Sequence, residues 1–440
     1  MGTRQLRLRV ASTNLGCSVL SLADLTVDDL RCIEHAELQL HPGHNLIWGG
    51  NGSGKTSLLE AMFLLGRGRS FRTRNSERLI RHGRDRLVVF GRTGGGDDPH
   101  DWVRSGPDME GRFDRGAPQR ADLSDPVGLG LGVSGAQSQG AQPGGNPGGP
   151  AASEDPRGTL RTPGSLPQAL GVQVSRTDGT VARISGATAR SLTELTQAFP
   201  VQVIDPGVHK LVEEGGHRRR RWMDWAVFHV EHQFGDWWLR YTRILKQRNA
   251  ALRTQPAQVS VWDAELARVG ELIAESRRRF VESLLPYWRE SVLALSGLEP
   301  ELHYFKGWAQ DVSLAEALVA SRARDESKRL THPGPHRADV IVRMSGRPAR
   351  EVLSRGQQKL VAVAMTLAQL NLLQEATQTT PTLLLDDPAA ELDGDHLRRF
   401  IEQVMRLRSQ LVLTSLHSES HLFGTPNRVF HVEQGRVEPV

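Results

Sequence analysis

The order of apolar and polar residues near the start of the chain predicts short strands around one helix. Residues 33–40 alternate between apolar and polar side chains, as in a strand with one buried face. Residues 45–48 predict a buried strand, and residues 57–65 combine apolar side chains with good helix formers. Residues 87–90 and 171–175 are two further strand-like runs, which we expect to pair as a hairpin.

In the second half of the chain, strand patterns and helix patterns alternate. Residues 201–204 predict a strand, and residues 218–325 have a mostly helical pattern that is rich in arginine and tryptophan. Strands that alternate with helices imply an α/β fold with a mainly parallel sheet covered by helices. The remaining predictions are strands at 338–344, 381–387 and 410–414, and helices at 356–373 and 396–408.

Between the two strands of the predicted hairpin lies a stretch of different character. Residues 94–168 contain 17 of the 44 glycines and 10 of the 23 prolines. Such a sequence buries too little apolar surface to offset its ordering entropy, so we expect a disordered or loosely folded insertion. The resulting domain prediction is a flexible tail (1–18), a first α/β lobe (19–92 and 170–206), the insertion (93–169), an α-helical lobe (207–330) and the C-terminal part of the α/β lobe (331–440).

Net charge, cysteine content and apolar runs give only broad limits on the class of protein. The formal net charge is +5 with a pI near 9.5, which is compatible with nucleic-acid contact without showing it. Cys17 and Cys32 can form neither a disulfide framework nor a C-x-x-C metal site. Because the sequence also has no apolar run long enough to span a membrane, we expect a cytoplasmic protein without a membrane partner.

A glycine-rich loop stands between the predicted strand at 45–48 and the predicted helix at 57–65. It fits the pattern G-x-x-x-x-G-K-[ST], in which backbone N–H groups point at phosphate oxygens. Lys55 is expected to reach the β- and γ-phosphates of ATP, and Thr56 to offer a hydroxyl to Mg²⁺. The predicted nucleotide-binding residues of this loop are Gly49, Gly50, Asn51, Gly52, Ser53, Gly54, Lys55 and Thr56.

The strand predicted at 381–387 ends in two carboxylates. Asp386 is placed to hold Mg²⁺, and Asp387 could orient or deprotonate the attacking water. Many ATPases of this layout have glutamate at the second position, so the shorter Asp387 predicts slow hydrolysis. With Lys55, these two aspartates are the predicted catalytic residues.

A second anion site precedes the helix predicted at 356–373. Ser354 is a good N-cap residue, Gly356 allows close approach, and a helix N-terminus follows. In one class of ATPase, a Ser-x-Gly-Gln element of one subunit closes over the γ-phosphate held by the phosphate loop of another subunit, and the resemblance to that class implies the same role here. Its predicted nucleotide contacts are Ser354, Arg355, Gly356 and Gln357, and residues 391–393 are expected to contact the other subunit.

Basic residues follow one another along the predicted helical lobe. Arg240, Arg243, Lys246 and Arg248 are candidate contacts to DNA phosphates, without sequence specificity. A solvated basic helix face is the alternative, and Arg219 and Arg220 could instead pair with acidic residues or contact the nucleotide lobe. The nearby tryptophans, Trp222, Trp225, Trp237 and Trp238, are expected to pack in a core rather than to stack on bases.

Taken together, these motifs resemble the RecF family of ABC/SMC-like ATPases. The resemblance rests on the phosphate loop, on L-S-R-G-Q at 353–357, on L-D-D at 385–387, and on the segments 65–72, 203–206, 217–224, 245–250 and 332–339. It implies an ABC-type P-loop ATPase head with a smaller helical lobe. It also implies ATP-dependent homodimerisation on DNA, weak DNA-stimulated ATPase activity, and RecR and RecO as partners in loading RecA at single-strand gaps and junctions, in recombinational repair and the SOS response.

The chain departs from the wider class in four places, one of which is the extra sequence at 94–168. Arg355 stands where transporter-type ATPases have glycine, although the RecF family shares this feature. No glutamine clearly links the two lobes, and Asp205 is a poor substitute. The switch residue after the last strand is not clear, with Thr414, Ser415 and His417 as candidates.

Three other readings remain open at this point. A transport ATPase subunit would need a membrane partner, and its motif would more commonly read S-G-G-Q. An SMC- or Rad50-like tether would need coiled-coil arms that are much longer than residues 207–330. A DNA clamp in which ATP is only structural would show no DNA-dependent ATPase activity.

Overall fold

The computed structural model describes residues 21–94, 167–189, 191–377, 380–390, 392–418 and 423–440. The tail predicted at 1–18, with Cys17, lies outside these residues, as does nearly all of the insertion predicted at 93–169. Among the described residues, no helix is both long enough and apolar enough to cross a membrane.

The first of three sheets is wholly antiparallel and has six strands. The strand prediction at 33–40 is confirmed, and the predicted hairpin is confirmed because Val89 pairs with Val172. In spatial order the strands are β2 (Ile33–Gln39), β1 (Ser21–Leu30), β4 (Arg86–Gly94), β5 (Gln168–Ser175), β6 (Gly179–Ile184) and β7 (Ala187–Thr188).

The second sheet is the mainly parallel one that the alternating pattern predicts. All neighbouring strands in it run parallel except β14 and β15, which form an antiparallel hairpin. Its spatial order is β15 (Arg436–Pro439), β14 (Arg428–Glu433), β3 (His44–Trp48), β13 (Leu411–Ser415), β12 (Thr382–Leu385) and β8 (Val201–Ile204).

A third, small sheet has one strand, β9 (Glu301–Phe305), in the region predicted to be mostly helical, whereas its strand β10 (Asp339–Met344) matches the strand predicted at 338–344. It has the spatial order β11 (Arg347–Pro348), β10 and β9. In β9 the buried Leu302 alternates with exposed neighbours, which is a strand pattern only five residues long within a helical background. The helical prediction is therefore wrong at β9.

Eleven α-helices occur among the described residues. The helices predicted at 57–65, 356–373 and 396–408 are confirmed as α1, α10 and α11. The bounds are α1 (Lys55–Arg67), α2 (Leu192–Ala198), α3 (Lys210–Glu213), α4 (Gly216–Val230), α5 (Phe234–Thr254), α6 (Asp263–Ser296), α7 (Leu314–Ala320), α8 (Arg322–Lys328), α9 (Ala349–Val352), α10 (Arg355–Thr377) and α11 (Gly394–Arg406).

Two hydrophobic cores lie on opposite faces of the parallel sheet. Consecutive residues of β3 point to opposite faces, so Ile47 packs with α1 and the antiparallel sheet, whereas Leu46 packs with the helical lobe. The predicted tryptophan core is confirmed, because Trp225 and Trp238 are almost fully buried in the helical lobe. The two cores therefore share the sheet whose strand ends carry the candidate site.

Candidate functional site

The phosphate loop folds between β3 and α1, as its sequence predicts. Gly49, Gly52 and Gly54 have φ values of 156°, 77° and 121°, which only glycine adopts easily. A Cβ atom at Gly49 would lie 2.2 Å from the Val432 carbonyl oxygen. The Gly49 N–H donates to the Ser415 carbonyl at 3.2 Å, which fixes the loop to the end of β13. The loop thus depends on glycine for both its curvature and its packing.

Lys55 lies inside the mouth of this loop. Its Nζ atom donates to the carbonyl oxygens of Gly49 at 2.6 Å and Gly50 at 2.8 Å, and the residue is 8% exposed. Burial lowers the pKa of Lys55, and the negative charges of Asp387 and Asp386 partly offset that effect. A buried ammonium group facing two carboxylates and a nest of glycines is suited to receive phosphate oxygens.

Thr56 and Asp386 meet at the next position of the site. The Thr56 hydroxyl donates to Asp386 Oδ1 at 2.9 Å and lies 3.1 Å from Oδ2. Thr414 also contributes, because its hydroxyl lies 3.0 Å from Asp386 Oδ1 and accepts the Asp387 N–H at 2.9 Å. A hydroxyl beside a carboxylate is the oxygen donor set that Mg²⁺ prefers, so the residues present fit the metal.

Asp205 follows β8 and lies beside Asp386. The register pairs Ile204 with Leu385, and the Asp386 N–H donates to the Ile204 carbonyl at 3.0 Å. Burial raises the pKa of Asp205, and the nearby charge of Asp386 adds to this rise. The two side chains line one cleft, together with Lys359 of α10. The sequence has no clear glutamine that links the two lobes. The structure places the Asp205 carboxylate at the same edge of the sheet as Asp386.

The second anion site forms a reciprocal cap at the start of α10. Ser354 Oγ accepts the Gln357 N–H at 3.3 Å, while Gln357 Oε1 accepts the Ser354 N–H at 3.0 Å. Ser354, Arg355 and Gly356 are exposed, and a Cβ atom on Gly356 would have nothing closer than Ser354 Oγ at 4.0 Å. The helix N-terminus therefore faces solvent with its close-approach glycine uncovered.

The two anion-binding elements do not meet within one chain. In the described part of the protein, no hydrogen bond or ion pair joins the loop at 49–56 to residues 354–357. Of the segment expected to contact another subunit, Glu391 lies outside the described residues. Asp393 caps α11 by accepting the His396 N–H at 3.1 Å, and the hydrogen bonds from His396 lower the pKa of Asp393.

A buried chain of polar side chains, which the sequence does not reveal, links α1 to α10. Arg67 Nη2 donates to Gln202 Oε1 at 3.2 Å, and Gln202 Nε2 donates to Gln369 Oε1 at 2.9 Å. Gln369 Nε2 then donates to the Trp222 carbonyl at 2.7 Å. Since a buried amide must be satisfied, this chain of hydrogen bonds fixes the P-loop helix α1 against α10, the helix that Ser354 caps.

The four candidate DNA contacts on α5 differ in exposure and in their ion pairs. Arg243 and Lys246 are exposed, and Arg240 is exposed but forms an ion pair with Glu265 at 2.5 Å. Arg248 is fully buried, and it donates to Asp263 and Asp325 at 2.8 Å each. The prediction that Arg248 contacts DNA is therefore wrong, because its guanidinium group holds the helical lobe together instead.

Two arginines at the start of the helical lobe also have internal partners. Arg219 forms a two-bond ion pair with Asp339 at 2.8 and 2.9 Å, and it donates to carbonyl groups around α3. Arg220 donates to the Ala338 carbonyl at 2.6 Å. The structure therefore supports the alternative interpretation for Arg219, which pairs with an acidic residue of the same chain.

Comparison with known proteins places the chain in one family. The RecF/RecN/SMC N terminal domain family matches residues 21–93 and 165–438. DNA replication and repair protein RecF of Thioalkalivibrio sulfidiphilus is 34% identical over 423 residues, which cover 94% of this chain and 98% of that protein. The protein of the same name from Vibrio atlanticus is 32% identical over 424 residues, with 95% and 99% covered.

Solved structures show the same fold. The recombination mediator protein RecF with ATP has a TM-score of 0.74 at 22% identity and covers 97% of this chain and 99% of its own. The same mediator with ATPrS has a TM-score of 0.70 at 21% identity, with 96% and 99% covered. By sequence over nearly its whole length, this chain belongs to the RecF family, within the wider RecF/RecN/SMC class.

Proposed function

We propose that this chain is a RecF-like DNA replication and repair protein that uses ATP to assemble as a dimer on DNA. The observation that carries the proposal is the separation of two anion sites in one chain. One site is a complete phosphate loop, and the other is a capped helix N-terminus that faces solvent at Ser354. In a dimer, the exposed helix N-terminus of one subunit would cover the phosphates held by the loop of the other.

ATP is the proposed nucleotide, and Mg²⁺ is the metal that the donors at Thr56 and Asp386 favour. Lys55 would bind the β- and γ-phosphates, and the loop amides would hold the remaining oxygens. When bound, Mg²⁺ would neutralise charge on the phosphates. The RecF structures whose descriptions name ATP and ATPrS support this choice of nucleotide.

Slow hydrolysis would reset the dimer. Asp387 lies one residue after the metal-site carboxylate, and its backbone N–H is held by Thr414 at 2.9 Å. Its φ of 47° departs from the strand conformation, which turns the backbone away from β12. We assign Asp387 to orienting the attacking water and Thr414 to fixing the two carboxylates relative to each other.

Family membership supports the proposed DNA binding and the proposed protein partners. The basic charge of the chain suits contact with DNA phosphates, and the proposed substrates are single-strand gaps and junctions. RecR and RecO are the proposed partners, and RecA loading the proposed outcome. A coiled-coil tether receives no support, because α6, the longest described helix at 34 residues, packs against α5 and α10.

Sedimentation velocity tests this function directly. The wild-type chain should be monomeric without nucleotide or with ADP, and it should form a dimer with Mg-ATP, more completely when gapped DNA is added. The reason is that ATP supplies the negative charge that both anion sites bind. A chain that stays monomeric with Mg-ATP and gapped DNA, or that dimerises equally in all conditions, would contradict the proposal.

A further inference from the structure

An arginine-rich segment follows the P-loop helix and has no role in the site described above. Residues 69–86 contain seven arginines and two acidic residues, so this short stretch has a net charge of +5, equal to that of the whole chain. All seven basic groups are arginines. The positive excess of the protein is therefore concentrated between α1 and β4.

Three members of the segment are free to contact a partner. Arg72, Arg74 and Arg78 are exposed, and no carboxylate of the described residues forms an ion pair with any of them. Other arginines nearby do have partners, since Arg81 pairs with Glu34 at 2.9 Å and Arg84 pairs with Asp29 at 3.2 Å. The segment thus presents three uncompensated guanidinium groups.

The segment continues to the beginning of the helical lobe. Glu214, just before α4, has a lowered pKa chiefly because Arg218 donates a hydrogen bond to it, and the charge of Arg74 adds to this effect. Arg218 already occupies that carboxylate. Arg74 therefore lies close to the junction of the two lobes and keeps its charge available.

The backbone of the segment is held in place by a buried glutamate of α1. Glu60 is fully buried, accepts two hydrogen bonds from Arg31 at 2.5 and 3.0 Å, and accepts the Ser70 hydroxyl. Ser70 Oγ in turn accepts the N–H groups of Arg72 at 2.9 Å and Thr73 at 3.0 Å. The arginines therefore project from a fixed loop that is attached to the P-loop helix, which lowers the entropy cost of binding.

The chemistry of the segment selects one kind of partner. Guanidinium groups bind phosphate oxygens through two parallel hydrogen bonds, which makes arginine well suited to a phosphate backbone. The segment offers no exposed apolar anchor of the kind that centres a protein interface, because Phe71 packs edge-on against Phe63 at 5.4 Å. It also forms no amphipathic helix of the kind that lies on a membrane.

We propose that Arg72, Arg74 and Arg78 form a surface that binds the phosphate backbone of duplex DNA, and we call it the arginine surface. The proposal rests on the DNA-binding function proposed above and names its contact. It assigns the main contact to the ATPase lobe rather than to α5, where Arg240 is paired and Arg248 is buried. DNA bound at this surface would lie beside the loop that follows α1, the helix that begins with Lys55.

The test measures the salt dependence of duplex DNA binding by full-length chains with Mg-ATP. The triple variant Arg72→Gln, Arg74→Gln, Arg78→Gln should make the negative slope of log K against log salt shallower by about 2 to 3. Each lost phosphate contact removes about 0.9 from its magnitude. Affinity at low salt should fall at least about tenfold. Affinity for ATP should not change, since none of the three contacts the phosphate loop.

Two matched triples serve as controls for the loss of three positive charges. Arg289, Arg399 and Arg408 are exposed elsewhere on the chain, and their change to glutamine should alter the slope little. The α5 triple of Arg240, Arg243 and Lys246 changed to glutamine should also have the smaller effect. If wild-type chain binds DNA but the arginine-surface variant keeps its slope and affinity, or if the α5 triple loses more, the arginine surface is refuted and the proposed function stands. Absence of DNA binding by the wild type would refute both.

Discussion

Replacement of Lys55 by methionine should abolish ATP hydrolysis and lower ATP affinity by about 100-fold or more. The Lys55 ammonium group makes two close hydrogen bonds inside the phosphate loop and is placed to exchange them for phosphate oxygens. A hydrogen bond to a charged group contributes about 1.5 to 3 kcal/mol, and about 1.4 kcal/mol corresponds to a factor of ten. The affinity is measured by fluorescence titration with a labelled ATP analogue.

Lys328→Met is the matched control, because Lys328 is exposed at the end of α8 and belongs to neither anion site. It should bind and hydrolyse ATP as the wild type does. A Lys55→Met chain that retained wild-type ATP affinity would show that the glycine loop at 49–56 does not bind the triphosphate.

Replacement of Asp325 by asparagine should lower the free energy of unfolding by about 3 to 5 kcal/mol, the usual cost of breaking a buried ion pair. Asp325 and Arg248 are both fully buried, and their side chains meet at 2.8 Å. Asp325 also accepts the backbone N–H of His332 at 3.0 Å. Without this carboxylate, Arg248 would keep only the partial neutralisation that Asp263 supplies.

The measurement is urea unfolding followed by tryptophan fluorescence, since Trp225 and Trp238 are buried in the same lobe. Asp311→Asn, at an exposed aspartate, should change the free energy of unfolding by less than about 0.5 kcal/mol. Equal stability of the Asp325→Asn and Asp311→Asn chains would show that the buried arginine is not held by its carboxylates.

The parts of the site that the sequence predicts are those encoded in consecutive residues. The phosphate loop needs glycine at set positions and a lysine next to a helix start, so its conformation follows from a few neighbouring residues. The cap formed by Ser354 and Gln357 is equally local. Asp386 ends an apolar strand, and strand ends of a parallel sheet share one edge.

What the sequence does not reveal depends on contacts between distant residues. Arg248 belongs to a row of basic residues along a helix, a pattern that predicts a surface residue. In the structure it forms ion pairs with Asp263 and Asp325, which lie on two other helices. The Gln202–Gln369 hydrogen bond joins residues 167 positions apart, and neither amide stands out in the sequence. Burial and pairing of this kind are tertiary properties that a local pattern cannot predict.

The central claim is that the phosphate loop of one subunit and the Ser354 element of another enclose one ATP. Lys55→Met inactivates the first half-site, and Ser354→Arg places a bulky side chain where the second must approach phosphate. Each variant alone should hydrolyse no ATP. A heterodimer of the two contains one intact composite site, formed by the loop of the Ser354→Arg chain and the Ser354 element of the Lys55→Met chain.

ATP hydrolysis by the mixed variants on gapped DNA is therefore the most direct measurement. At chain concentrations that support the wild-type dimer, an equimolar mixture should recover up to about a quarter of wild-type hydrolysis, because about half of the dimers are mixed and each has one intact site of two. A mixture that hydrolyses no more ATP than the two variants do separately would contradict a site shared between subunits.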